Sequence, residues 1–302
     1  PRPSPRPGHA GRVAADRSLN RIPPWMLAVT SILSVQLSSA LAVGLFPIVG
    51  PSGTAWLRLT AGALIFMAIT RPPLRSVRRE DLPALVGLGV TTGLVTMSFL
   101  AAIDRIPLGT AVAIEFLGPL TVAALRSHNR RALAWPALAL AGVLLLTEPW
   151  QGEVNAAGLL FAAVAAVGWA TYIVLTQHVG DRFSGISGLS ITVPIAALTA
   201  TPFGMVEAAG NLSAGVILAA IGLAILLPVL PLALEMIALR EMTPTAFGTL
   251  MALEPAFAVL LGALVLHQTP APPQILGIVL VVLAGAGAQR GGRRVHELEL
   301  VD

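Results

Sequence analysis

The sequence predicts an all-α membrane protein with ten transmembrane helices arranged as two inverted five-helix repeats. Three observations lead to this fold class. First, the 302 residues are 55% apolar and only 11% charged, whereas soluble globular chains carry about 25% charged residues. Second, the apolar residues form stretches of about 20 residues, which is the length that spans a bilayer as a helix. Third, the arginines fall almost entirely in alternate gaps between these stretches.

Ten apolar segments can be counted along the chain. Each is predicted to be helical, because backbone polar groups in hydrocarbon must be satisfied within the segment, and the lack of strict alternation argues against a β-barrel. The connections are too short to hold a soluble catalytic or nucleotide-binding domain. The segments cover roughly residues 25–45, 54–70, 82–103, 107–125, 132–148, 156–177, 186–203, 212–239, 244–266 and 272–289.

The chain divides into four predicted regions. Because five is an odd number, two repeats of five helices must be inverted relative to each other, as is typical of secondary transporters. A shift of 136 residues places Pro119 on Pro255, which is a faint internal similarity. The proline- and arginine-rich first region is predicted to be disordered. The regions are a cytoplasmic arm (1–24), the first repeat (25–150), the second repeat (151–289) and a cytoplasmic tail (290–302).

Arginine placement predicts the orientation of the chain. Seventeen of the nineteen arginines fall on one side of the predicted membrane, Arg105 falls on the other side, and Arg58 lies inside a segment. Because basic loops stay in the cytoplasm, we expect both termini to be cytoplasmic. The seventeen are Arg2, Arg6, Arg12, Arg17, Arg21, Arg71, Arg75, Arg78, Arg79, Arg126, Arg130, Arg131, Arg182, Arg240, Arg290, Arg293 and Arg294.

One alternative concerns the first segment. Arginines, an apolar run and the small residues Ala40 and Ala42 together resemble a secretory signal peptide with its cleavage site. Cleavage there would leave nine helices and would not change the other loop assignments. The apolar run continues past this point to Phe46, which favours a retained helix.

Two acidic residues lie deep within the predicted helices. At 1.5 Å per residue, Glu115 lies about 12 Å along the fourth helix and Glu254 about 15 Å along the ninth, so both approach the middle of a hydrocarbon core about 30 Å thick. Pro119 and Pro255 follow them and are predicted to break each helix, since proline lacks the backbone donor. Buried charge and paired helix breaks point to a midplane substrate or coupling site. The alternative is a protonated glutamate that only hydrogen-bonds within the bundle.

Other residues near these positions have both a functional and a structural interpretation. Gly118 and Gly248 lie beside the predicted breaks, where a glycine lets a neighbouring helix or a ligand approach the backbone. Arg58 is either a partner for a substrate carboxylate or for a glutamate, or an arginine that reaches the outer interface along its own stem. Glu235 follows two prolines near the cytoplasmic end of the eighth helix and is either a functional residue or a glutamate that reaches the nearby interface.

An aromatic pair and an amide complete the candidate site. Trp169 and Tyr172 lie three residues apart and therefore on one helix face, where they either line a cavity or pack against another helix. Gln36 lies in a polar part of the first helix. It either lines the same cavity or forms an interhelical hydrogen bond.

An enzymatic alternative has little support. Two GxSG sequences, around Ser52 and Ser187, resemble those of intramembrane serine hydrolases. The five histidines all fall in arms, loops or segment ends, so none is placed to activate a serine. The absence of cysteine excludes disulfides and thiol catalysis. We therefore expect a protein that is not an enzyme, with no metal and no other cofactor.

Ten short motifs carry a resemblance to a known family. With these residues the chain resembles the EamA-type, ten-helix family of the drug/metabolite transporter superfamily, and within it the bacterial inner-membrane exporters of threonine and homoserine. One departure is His267-Gln268-Thr269, where family members commonly have a glycine–glutamate pair. The motifs are LFPIVGP (45–51), LRL (57–59), PLG (107–109), AVAIEF (111–116), GPL (118–120), GWA (168–170), YI (172–173), LEMIAL (234–239), FGTLM (247–251) and LEPA (253–256).

The resemblance implies export of small neutral amino acids across the bacterial inner membrane by proton antiport. Glu254 or Glu115 would hold the substrate ammonium and Arg58 its carboxylate. Because burial favours the neutral form of a carboxyl group, proton and substrate would compete for one glutamate. The implied partners are the amino acid, the proton and the lipid bilayer, without nucleic acid, and both a monomer and a homodimer stay open. Another metabolite or a cationic drug also stays open as the cargo.

Overall fold

The computed structural model describes the chain as a bundle of helices. All regular secondary structure in the described residues, 23–70, 77–126, 130–148, 155–180, 188–242 and 244–291, is helical. The predicted arm and tail therefore lie almost entirely outside the described residues. The α-helices are α1 (Pro24–Ala42), α2 (Phe46–Thr70), α3 (Leu82–Ile103), α4 (Leu108–Glu115), α5 (Leu117–Leu125), α6 (Ala134–Thr147), α7 (Ala156–Gly180), α8 (Leu189–Ala208), α9 (Ala214–Ala224), α10 (Leu230–Glu241), α11 (Pro244–Met251), α12 (Glu254–Leu266) and α13 (Pro272–Gly291).

Seven helical segments of the described residues, several of them made of two consecutive helices, are long and apolar enough to cross a membrane. Two shorter apolar helices, Ala134–Thr147 and Pro272–Ala288, accompany seven full-length candidates. The all-α membrane class predicted from the sequence is thus confirmed at this level. Within the described residues the seven candidates are Pro24–Thr70, Leu82–Ile103, Leu108–Leu125, Ala156–Thr176, Leu189–Ala208, Ala214–Leu239 and Ala246–Leu266.

The first candidate contains a sharp kink. Pro24–Thr70 has 47 residues, which would measure about 70 Å as one straight helix and exceed a hydrocarbon core of about 30 Å more than twofold. Gly50 interrupts it with φ 68° and ψ 170°, a backbone conformation that is open essentially only to glycine. The sequence predicted a loop between residues 45 and 54, and the structure instead continues as a helix on both sides of Gly50.

Two further interruptions lie next to prolines. The break between α4 and α5 lies at Phe116, three residues before Pro119, and the break between α11 and α12 lies at residues 252–253, before Pro255. Proline cannot donate to the carbonyl four residues earlier, so each helix loses a backbone hydrogen bond close to its break. Helix ends, and the dipoles of their backbones, are thereby placed inside the bundle.

A fourth interruption separates α9 from α10. Residues Ile225–Val229 form a π-helical turn that contains Pro228, and Leu227 leaves the helical region with φ −157° and ψ 114°. Two serines of α1 compensate for the disrupted ladder, since Ser34 donates to the carbonyl of Leu226 at 2.7 Å and Ser38 to that of Leu223 at 3.1 Å.

The helices of the two halves pack against each other in pairs. α2 lies along α8, α6 along α13, α4 against α12, α1 against α10, and α3 against α7. Close contacts between backbones allow this packing, as is usual where small residues line membrane helices. A Cβ on Gly118 would collide with the carbonyl oxygen of Ala166, and one on Gly142 would lie 2.5 Å from the carbonyl oxygen of Gly277.

Candidate functional site

One cavity lies where the interrupted helices meet. Its volume is about 320 Å³, which falls within the range of small-molecule sites. Side chains from α1, α2, α3, α4, α7, α8, α10 and α12 line it. The structure brings all the residues predicted to bind or couple substrate to this cavity, namely Gln36, Arg58, Glu115, Trp169, Tyr172, Glu235 and Glu254.

Two glutamates occupy the ends of helices at the cavity. Glu115 is the last residue of α4, and Glu254 is the first residue of α12 and is only 8% exposed. Each carboxyl group therefore sits at one of the helix breaks beside Pro119 and Pro255. The carboxyl group of Glu254 is within electrostatic range of both Glu115 and Glu235. Three acidic side chains thus share one small volume.

Glu235 reaches the cavity from α10. Its Oε1 accepts a hydrogen bond of 2.7 Å from the Oγ of Ser31, a fully buried serine of α1. This bond holds the carboxyl group toward α1 rather than toward a membrane surface. Its position favours the cavity interpretation of Glu235 over the interfacial one.

Arg58 is buried beside the acidic group. Its side chain is 4% exposed and its Nη1 has no hydrogen-bond partner. It interacts electrostatically with Glu115, but among the described residues no direct ion pair joins the two. A buried guanidinium with an unused donor is a ready partner for a carboxylate, which accepts from such donors in charge-assisted hydrogen bonds.

Gln36 presents the complementary feature. It is 3% exposed, and its Oε1 is a buried acceptor without a hydrogen-bond partner. The interhelical hydrogen bond that the sequence left open as its role is therefore absent for this oxygen. The cavity wall thus holds one unused donor and one unused acceptor.

Aromatic side chains form another part of the wall. Trp169 meets Phe116 edge to face, with ring centroids 6.4 Å apart and an interplanar angle of 64°. Phe116 lies at the break between α4 and α5, so this contact packs the break against α7. Tyr172 lines the cavity one turn further along α7. Both interpretations of the aromatic pair, wall and packing, therefore apply to Trp169.

The predicted helix-break residues play different structural roles. Pro119 and Pro255 lie beside observed interruptions, and Gly118 allows α5 to approach α7 closely. Gly248 lies within α11, before the break. Among the described residues, no group of three His, Cys, Asp or Glu side chains is arranged to hold a metal ion.

The sequence did not reveal every part of the cavity. Thr92 and Thr96 line it from α3, and Leu227 and Pro228 line it from the π-helical turn. The threonines share one helix face at a spacing of four residues, which was a signal available in the sequence. The turn could be suspected from Pro228, but its contacts with the serines of α1 require the fold.

The serines of the two GxSG sequences have no part in this cavity. Ser52 lies just after the kink of α2 and does not line the cavity. Ser187 lies outside the described residues.

Comparisons with known proteins agree with this architecture. Residues 156–287 match the EamA-like transporter family. The chain is 36% identical over 292 residues to the threonine/homoserine exporter RhtA of Escherichia coli strain K12, an alignment that covers 94% of this chain and 98% of the relative. The exporter of the same name from Salmonella typhimurium strain SL1344 is 35% identical over the same shares. A solved protein crystal structure aligns with a TM-score of 0.60 at 22% identity, over 88% of this chain and 96% of that one, and supports the fold alone.

These relatives confirm the resemblance that the sequence motifs indicated. The family and the named relatives are transporters, so the expectation of a transporter rather than an enzyme is also confirmed. With 36% identity over nearly its whole length, the chain belongs to the EamA-like transporter family.

Proposed function

We propose that the protein is a proton-coupled exporter of small neutral amino acids of the threonine and homoserine type. The observation that carries this proposal is the chemistry of the central cavity. Carboxyl groups and a guanidinium with an unused donor bound the same 320 Å³. A zwitterion needs an anionic partner for its ammonium and a cationic partner for its carboxylate, and this wall offers both. The names of the relatives supply the substrate type.

The clustered carboxyl groups supply the coupling. Neighbouring carboxylates repel each other when charged, and Glu254 is within range of both Glu115 and Glu235. Uptake of a proton relieves this repulsion, and so does binding of a substrate ammonium. Proton and substrate therefore compete for the same group, which produces antiport when the cavity opens alternately to the two sides.

The same proposal includes ten spans in two inverted repeats. The kink at Gly50 divides Pro24–Thr70 into two spans, and the shorter apolar helices Ala134–Thr147 and Pro272–Ala288 add two more to the remaining six. The division into residues 25–150 and 151–289 follows from this count.

Helix pairing supports the repeats. If the spans are numbered in order, exchanging each span with the one five places away maps the main contacts between the two halves onto one another. The pairs α2–α8, α4–α12 and α6–α13 map onto themselves, and α1–α10 exchanges with α3–α7. A two-fold relationship between the halves produces this pattern.

Arginine placement supports an inner-membrane orientation with both termini cytoplasmic. In that orientation Tyr172, Leu189 and Glu235 line the cavity toward the cytoplasmic ends of their helices, and Phe99 and Val112 line it toward the outer ends of theirs. At the outer end of the bundle in this orientation, Glu207 joins α8 to α2 by accepting from the backbone N–H of Gly53 at 2.9 Å. In our proposal the exporter functions as a monomer or as a homodimer.

A cationic metabolite or drug is the second candidate cargo. Three acidic side chains face a single arginine in the cavity, and aromatic faces bind cations. Such a cargo would use the glutamates, Trp169 and Tyr172, and would leave Arg58 without a role.

Efflux from proteoliposomes tests the proposal. Purified protein is reconstituted with labelled threonine or homoserine inside, and efflux is followed with and without an imposed pH gradient. We expect efflux that depends on the gradient and stops when an ionophore collapses it. Absence of efflux for both amino acids, from protein with a cooperative thermal unfolding transition, would contradict the proposed cargo. Efflux that is independent of the pH gradient would contradict the proposal that protons are the coupling ion.

A further inference from the structure

Few buried polar atoms in the described part of the chain lack a hydrogen-bond partner, and two of them meet in the cavity. Among the described residues the orphans are Gln36 Oε1, Arg58 Nη1, Thr60 Oγ1 and Thr176 Oγ1. Only Gln36 and Arg58 also line the cavity. Native proteins satisfy the large majority of buried polar side-chain atoms. An unpaired donor and an unpaired acceptor in one cavity wall therefore point to a ligand that supplies both partners.

The neighbours of Gln36 on α1 show that its unused acceptor is an exception. Ser31 donates to Glu235, Ser34 and Ser38 donate to backbone carbonyls of the interrupted helix, and Ser39 donates to Val35 within α1. Each of these hydroxyl groups is thus already used within the protein. Gln36 Oε1 is, among the described residues of this helix, the buried side-chain polar atom without any hydrogen-bond partner.

We infer that Gln36 Oε1 accepts a hydrogen bond from the side-chain hydroxyl of the substrate and thereby selects hydroxyl-bearing amino acids. This inference rests on the proposed function. The substrate carboxylate matches the unused donor of Arg58, and the substrate ammonium matches the carboxyl groups of Glu115, Glu235 and Glu254. The remaining acceptor is neutral, and the remaining donor of threonine or homoserine is a neutral hydroxyl group.

The selectivity follows from what an analogue without the hydroxyl leaves behind. 2-Aminobutyrate is the common deoxy analogue of threonine and homoserine, and in its complex the amide oxygen of Gln36 would stay buried and unpaired. Sites built around a hydrogen bond to a substrate hydroxyl reject the deoxy analogue strongly for this reason. We expect wild-type protein to prefer threonine to 2-aminobutyrate by about 5- to 100-fold in transport efficiency.

The first test compares Gln36→Leu with a matched variant, Gln268→Leu. Gln268 is a glutamine outside the cavity whose Oε1 accepts from the backbone N–H of Leu108 at 3.0 Å. Efflux of labelled threonine, homoserine and 2-aminobutyrate is measured for each variant in proteoliposomes. We expect Gln36→Leu to transport the three with efficiencies within about threefold of each other, whereas Gln268→Leu keeps the wild-type preference even where its thermal stability falls.

A second variant tests the assignment without removing the amide. Gln36→Asn withdraws the acceptor by one methylene group, so the longer hydroxyl arm of homoserine should reach it better than that of threonine. We expect the ratio of homoserine to threonine efficiency to rise about fivefold or more. This ratio is measured within one preparation and does not depend on the amount of folded protein.

The outcomes separate the two proposals. Wild-type protein that exports no amino acid would overturn the proposed function together with this inference. Wild-type protein that exports threonine and 2-aminobutyrate equally well would overturn the inference alone. The same conclusion would follow if both Gln36 variants kept the wild-type preferences, because Gln36 would then serve only the packing of α1.

Discussion

Two arginines of this chain meet opposite environments. Arg58 is 4% exposed and keeps an unpaired Nη1 in the central cavity. Arg105 has a side chain that is 33% exposed, and its Nη1 donates to Asp104 at 3.1 Å and to the carbonyl of Ala101 at 2.6 Å. Its guanidinium also lies 5.2 Å from the ring centroid of Phe161. The Nη1 of the exposed arginine has two partners, whereas the Nη1 of the buried one has none.

The same contrast holds for the glutamine and glutamate side chains. At the end of the bundle that carries Arg105, Gln268 accepts from Leu108, and Glu148 accepts from Gln274 at 3.1 Å. In the cavity, Gln36 has an unused acceptor. An unsatisfied buried polar group destabilises a fold by about 1–3 kcal/mol. Of the four such groups in the described part of the chain, Thr60 Oγ1 and Thr176 Oγ1 lie outside the cavity, and the two in its wall are the ones that belong to an amide and a charged side chain.

The largest effect is expected from a substitution of Glu254 in the cavity. Glu254→Gln preserves size and hydrogen bonding but removes both the charge and the site of proton uptake. We expect gradient-driven threonine efflux to fall by about 100-fold or more, because hydrogen bonds to charged groups contribute about 1.5–3 kcal/mol and the coupling is lost as well. Initial efflux rates across a range of external pH values measure the effect.

The matched control for this change is Glu207→Gln. Glu207 lies outside the cavity, and its carboxylate accepts from the backbone N–H of Gly53. This variant should keep a wild-type response to the pH gradient. A wild-type pH profile in Glu254→Gln, with normal protein level in the membrane, would assign Glu254 a packing role instead.

The second prediction compares the same substitution at the two arginines. Arg58→Gln should raise the KM for threonine by about 10- to 100-fold, since it removes a charge-assisted partner of the carboxylate. Arg105→Gln should change the KM less than about twofold, because exposed ion pairs contribute little. Concentration-dependent efflux from matched preparations gives both values. Equal KM values for wild-type protein and Arg58→Gln would favour the cationic cargo.

Much of the fold could be predicted from sequence because hydrocarbon imposes strong constraints. The length of the apolar segments and the positions of the arginines predicted an all-helical membrane protein. The charged residues within those segments, Glu115, Arg58, Glu235 and Glu254, were predicted as site residues and all line the cavity. These signals need no knowledge of packing, since a charge within an apolar segment stands out wherever the helix lies. The prolines likewise predicted where helices would be interrupted.

The details that distinguish one cavity residue from another required the structure. Gln36 and Ser31 looked equivalent as polar residues of the first helix, yet Ser31 donates to Glu235 while the acceptor of Gln36 stays unused. The helical turns around Gly50 were also missed, because glycine and proline indicate a break without showing whether helix resumes at once. Contacts between segments that are distant in sequence decide both which polar side chains are paired and whether helix resumes after Gly50.

The smallest expected effect concerns stability at the Gly50 kink. A Cβ on Gly50 would collide with the carboxyl group of Glu207, and the φ of 68° with ψ of 170° strains any other residue. We expect Gly50→Ala to destabilise the protein by about 1–3 kcal/mol through this strain, while the KM for threonine stays within about twofold of wild type. Thermal unfolding in detergent and efflux kinetics measure the two quantities.

The control for Gly50→Ala is Gly222→Ala. Gly222 lies within α9, and a Cβ there would meet nothing within 4 Å, so alanine should raise stability by up to about 1 kcal/mol through its better helix propensity. A large rise in KM for Gly50→Ala at unchanged stability would contradict a purely structural role for Gly50, because the kink would then shape the cavity. Lower stability with unchanged KM would place Gly50 with Glu207 and Gln268, among the contacts that hold the helices together without touching substrate.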